Sequence, residues 1–192
     1  MLDDAAGTLV VRTRGTLVLV VALVLVLSSA ALACEDGTFS IFGCDASHGR
    51  KFIELCGPSP LDAASGFLVY RFGSTKDEKD TVELSYPAER PGSLDRFYAA
   101  TYTHHGVYTQ SVRFVSGHFS YTVFTKAKGT EELGAGVEVR DRRSGKSTIV
   151  SCSERPRFYI YDLKGLVRCD PETPVGRACI GDDAKAPSHS GR

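Results

Sequence analysis

The sequence predicts an all-β protein: an antiparallel sandwich or barrel of about nine or ten short strands, clipped by disulfides. Three observations predict it. Short runs rich in β-branched and aromatic residues alternate with Gly, Pro and Asp breakers at roughly 8–15-residue spacing. Helical periodicity is scarcely present, with only residues 94–100 and 131–134 able to carry a turn or two. All six cysteines lie after residue 33, in the part of the chain that carries this pattern.

Residues 1–33 are read as a cleaved signal peptide. Arg12 and Arg14 precede the apolar residues 16–27, and Ala31-Leu32-Ala33 supplies a small-x-small cleavage site. Residues 16–33 carry no charge, so an uncleaved anchor is the alternative. Cleavage would make Cys34 the first mature residue and a lipidation candidate, although Ala31 at −3 replaces the usual larger aliphatic. The acidic opening Met1-Leu2-Asp3-Asp4 is unusual before an export signal, and Val10 or Val11 is an alternative start.

Residues 34–165 form the expected β domain. Residues 38–44 (TFSIFGC) and 51–56 (KFIELC) make a first hairpin, and 57–65 breaks the pattern. Strands follow at 67–72 and 81–86 around the polar run GSTKDEKD, then at 96–103 and 107–114 around His104-His105-Gly106. Further strands are expected at 118–125, 136–140 and 147–152. The last two are joined by DRRSGK, the strongest hairpin signal in the chain. Residues 158–163 (FYIYDL) are read as a last strand, 166–180 as a cysteine-clipped extension and 181–192 as a disordered tail.

An even number of cysteines in an exported chain points to disulfides. Two local pairs suggest themselves: Cys44 with Cys56, and Cys169 with Cys179, each closing a loop worth on the order of 3 kcal/mol. That leaves Cys34 with Cys152, or Cys34 acylated and Cys152 free. Parity constrains the first pair. A two-residue turn at Gly49-Arg50 would set Cys44 opposite Leu55 and turn the two sulfurs apart, so the pair requires an odd-length loop or a bulge.

Charge and motif content narrow the function. Lys plus Arg and Asp plus Glu both number 23, with two of each before residue 34, which argues against nucleic-acid and polybasic membrane binding. No CxxC, HExxH, phosphate loop or dinucleotide fingerprint occurs, so no metal or cofactor is expected. His104 and His105, near Tyr102 and Tyr108, are the weak surface-site candidates, read mainly as a polar hairpin tip. Ser116 and Ser147 lack a nucleophile elbow, and Glu83, Glu138 and Asp162 read as solvent-facing strand residues. Phe97, Tyr98, Tyr102, Tyr108, Phe119, Tyr121 and Phe124 are read as core before ligand groove. No catalytic residue is assigned.

Residues 39–56 (FSIFGCDASHGRKFIELC) resemble the opening of a group of small exported bacterial β-proteins: a Phe-rich strand, Cys, a polar Gly-Lys turn, then Leu-Cys. The likeness continues in Tyr70-Arg71-Phe72-Gly73, Glu83 to Pro87, Tyr121 to Phe124, Ala135 to Val139, and Gly145-Lys146 before Val150-Ser151-Cys152. The resemblance implies export, an all-β fold, and Cys44, Cys56 and Cys152 as the shared cysteines. More distantly, the outline is similar to periplasmic lysozyme inhibitors, on architecture alone. The expectation is an exported, non-catalytic envelope protein that binds a protein or cell-wall partner, with lysozyme inhibition as one version. A lipidated assembly factor anchored through Cys34 is the alternative, and an envelope-acting enzyme a third. Oligomeric state is not legible.

Overall fold

The computed structural model describes residues 34–181 except Asp36 and Glu78. The expected signal peptide, and the expected tail beyond Gly181, lie outside the described residues. Two sheets face each other as an open sandwich, not a closed barrel. The first has five strands in the order β10-β1-β2-β3-β4 and the second seven in the order β12-β11-β5-β6-β7-β8-β9. The strands are β1 Thr38–Ala46, β2 Lys51–Pro58, β3 Val69–Lys76, β4 Lys79–Tyr86, β5 Phe97–His104 and β6 Val107–Ser116. They continue with β7 Phe119–Lys128, β8 Glu131–Asp141, β9 Ser147–Ser151, β10 Arg157–Phe158, β11 Arg168–Thr173 and β12 Gly176–Ala178. Every pairing is antiparallel except β11 with β5, which is parallel.

Strand alternation builds the core. β1, β2 and β3 turn Phe42, Leu55 and Tyr70 inward, while β5, β6 and β7 answer with Phe97, Phe114 and Val123. Aromatic rings cross the gap. Phe114 stacks on Tyr86 at 4.5 Å and on Tyr121 at 4.8 Å, and Tyr70 lies 4.9 Å from the same ring. Phe42, Leu55, Phe97 and Phe114 are fully buried, and each contributes roughly 1.5–3 kcal/mol.

The turns follow local chemistry. His105 and Gly106 both take positive φ (50° and 75°), so β5 and β6 are joined by a two-residue connection of the type that suits strand twist. In the expected 141–146 hairpin, the Asp141 carboxylate accepts from the Arg143 amide and the Ser144 hydroxyl, both at 2.9 Å.

The disulfide pairing and the strand expected at 158–163 are corrected. Cys44 bonds Cys152, and Cys56 bonds Cys34; only Cys169–Cys179 is the pair anticipated. The β1–β2 connection is the even-length Ser47-His48-Gly49-Arg50, which sets Cys44 opposite Ile53. A bulge does occur, but between Ser40 and Phe42, beyond Cys44. Cys44 therefore joins the core between the sheets, whereas Cys56 lies on the outer face, where Cys34 meets it.

Residues 158–163 are not one strand. β10 ends at Phe158, and Ile160–Leu163 is a 3₁₀ turn whose three-residue period buries both Ile160 and Leu163. Residues 131–134, one of the two stretches able to carry a helical turn, extend β8 beside β7. The cysteine-clipped extension supplies β11 and β12 to the larger sheet.

Candidate functional site

The inner face of the larger sheet changes character along β6. Phe114 and Val112 are buried in the core, and the next two inward positions are Gln110 and Tyr108. On β7 the matching positions are Thr125 and Ala127. Opposite them the smaller sheet offers only the two-residue β10 and the segment Arg155-Pro156 before it. The sheets part here around a cleft of about 600 Å³, closed below by the Gly129-Thr130 turn and Glu132.

The lining is polar and partly organised. The Thr125 hydroxyl donates to Gln110 Oε1 at 3.3 Å. The Tyr108 and Tyr161 hydroxyls lie 3.0 Å apart, linking β6 to the 3₁₀ turn. Arg155 Nε sits 3.4 Å from the Glu132 carboxylate at the mouth. Tyr161, held to Tyr108 beside the cleft, has 56% of its surface exposed. Lys126 turns its amine away, over the Phe124 ring on the outer face. Glu132 is the one carboxylate lining the cleft, and no His, Ser or Cys lines it among the described residues. The arrangement offers hydroxyl, amide and ion-pair contacts beside tyrosine rings, with no nucleophile–base pair.

The sequence-predicted candidates are dispersed. His104 and His105 form the β5–β6 tip, their rings 4.0 Å apart because the turn, rather than strand alternation, sets their directions. The seven aromatics do not form one groove. Phe97 and Tyr121 are inward, Tyr98 and Phe124 lie on the outer face, and only Tyr108 reaches the cleft. Glu83 and Asp162 are exposed, and Glu83 pairs with Lys51 at 2.5 Å, which holds its carboxyl below the usual range.

All six candidate cysteines are in disulfides. Cys34 and Cys56 lie with Glu54 so that two sulfurs and a carboxylate oxygen are within 4.8 Å of one another. The sulfurs are bonded to each other, and Glu54 is engaged by Arg71 at 3.0 Å. Acylation of Cys34 would need the sulfur that the bond to Cys56 occupies.

Sequence reasoning did not anticipate the cleft residues Gln110, Thr125, Glu132 and Arg155, nor the buried pairs Glu54–Arg71 and Arg113–Asp170. Comparison with family models, curated proteins and solved structures finds no match for the chain.

Proposed function

We propose that the protein is an exported, non-catalytic component of a bacterial envelope that binds a glycan-containing cell-wall partner in the cleft between its sheets. The observation that carries this reading is the cleft lining. Gln110, Thr125 and Tyr108 present amide and hydroxyl groups for sugar hydroxyls, and Tyr161 offers a ring against which the C–H face of a sugar can pack. Arg155 and Glu132 at the mouth suit the carboxylates and amines of attached peptides. Three disulfides support an oxidising compartment, and no helix among the described residues is long and apolar enough to cross a membrane.

Sedimentation with insoluble peptidoglycan, followed by calorimetric titration with chito-oligosaccharides, tests the reading. Saturable binding weakened by Gln110→Ala supports it. Absence of binding to either material removes it. Loss of lysozyme activity at high molar excess of the protein would identify the inhibitor version instead. Mass spectrometry of the mature N-terminus separates the lipidated alternative, because a free Cys34 amine and a Cys34–Cys56 peptide pair exclude an anchor there.

A further inference from the structure

The four sheet edges are unequally protected. β10 has two residues and β12 three, carrying Arg157 and Arg177 respectively. β4 bears Lys79, Asp80 and Glu83 and is bulged against β3. Charges, bulges and shortness are the usual defences of an open edge. β9 lacks charge and bulge and is longer than β10 or β12: Ser147-Thr148-Ile149-Val150-Ser151 is uncharged, regularly paired with β8, and leaves Ile149 53% exposed.

The hydrogen-bond alternation fixes what this edge presents. Asp141 N donates to Lys146 O and Cys152 N to Ala135 O, both at 2.9 Å, so the even-numbered residues of this stretch face β8. Ser147, Ile149 and Ser151 therefore direct their N–H and C=O groups outward. Ser153 N already donates to Asp45 O at 2.7 Å and ends the open stretch. A groove of about 490 Å³ runs along it, walled by Ser47 and His48.

We propose that two copies of this chain pair antiparallel along β9 about a two-fold axis at Ile149, joining their larger sheets into one. In that register Ile149 faces Ile149, and Ser147 of each copy faces Ser151 of the other. Each pair exchanges two N–H···O bonds. The ends of the edge are oppositely charged. Arg143 and Lys146 stand in the hairpin at one end, beside Arg142, which lies 3.6 Å from Glu172; at the other end stand Glu154 and Asp45, whose carboxyl is pushed up by burial first and by Glu154 second. A two-fold axis lays each basic end beside the acidic end of the second copy. A five-residue edge is short against the roughly 1,200–2,000 Å² of a stable interface, so the association is weak and concentration-dependent.

Sedimentation equilibrium of the mature protein from low micromolar to near-millimolar concentration tests this. The expected result is a monomer–dimer equilibrium that weakens with added salt and is at least about tenfold weaker in Ile149→Lys, which opposes two like charges across the axis. Ile149→Cys should give a disulfide-linked dimer on mild oxidation, whereas Thr148→Cys, offset and on the opposite face, should not. A monomer throughout the range, or association unaffected by Ile149→Lys, overturns the proposal. So does failure of Ile149→Cys to cross-link, which would also place any observed dimer on another surface.

Discussion

Arg113 and Asp170 form a bidentate ion pair, with Nε 3.0 Å from both carboxylate oxygens and Nη2 2.8 Å from one. Both side chains are almost wholly buried, and the guanidinium lies 4.6 Å from the Tyr98 ring centre. The pair crosses β5 to fasten β11 to β6, so the C-terminal extension is held by a charge contact as well as by Cys169–Cys179. Removing Arg113 leaves the Asp170 charge buried without its counter-charge, and removing Asp170 leaves Arg113 only the half-exposed Glu172 at 3.5 Å. Arg113→Ala or Asp170→Ala should therefore cost about 3–5 kcal/mol in urea unfolding, and replacing both with apolar residues of similar volume should cost much less. Additive losses in the double variant would contradict this.

The three disulfides should contribute in order of the chain they close. Their sequence separations are 108 for Cys44–Cys152, 22 for Cys34–Cys56 and 10 for Cys169–Cys179. Chain entropy assigns them about 5, about 3 and about 3 kcal/mol respectively. Paired Cys→Ala variants compared by denaturant midpoint should show the largest loss for Cys44/Cys152, which also ties β1 to the strand end beyond β9.

Glu54 titrates in an unusual direction for an ion-paired carboxylate. Burial pushes its carboxyl up, Arg71 on β3 pulls it down, and Asp80 on β4 pushes it up again; the net shift is upward from 4.5. A raised value means the folded state holds this proton more tightly than the unfolded chain. Its stabilisation is thus fully present below pH 4.5 and is lost as pH rises through the shifted value. Measured against Glu54→Gln, the native protein should lose relative stability over that interval and then level off. Parallel pH curves for the two proteins would refute the assignment.

Gly73 is fixed by crowding. A Cβ there would lie 2.2 Å from the Thr81 carbonyl oxygen and 2.5 Å from the Phe52 ring, on two strands that flank it. Gly73→Ala should cost at least about 1–3 kcal/mol. Gly49→Ala should serve as a contrast: nothing stands within 4 Å of a Cβ there, and the loss comes from its φ of 76° alone.

Much of the fold was legible because strand alternation and turn chemistry are local. The 141–146 hairpin and the Cys169–Cys179 loop were visible for that reason. The Cys44 partner was not. Parity forbids a bond to Cys56 across an even-length turn, but nothing in SHGR declares that the turn takes four residues, with Ser47 and His48 at positive φ. Nor does the apolar run of β1 reveal its bulge near Ile41. The cleft was illegible for a different cause. Its residues come from β6, β7, β8 and the segment before β10, and each looks like an ordinary strand or loop position until the short β10 leaves that face open.

The cleft is tested most directly by amide chemical-shift mapping of the mature protein with a soluble N-acetylglucosamine oligomer. Saturable shifts centred on Tyr108, Gln110, Thr125, Thr130 and Phe158, lost in Gln110→Ala, are the expected result. No saturable shifts, or shifts confined to surfaces away from these residues, would contradict it.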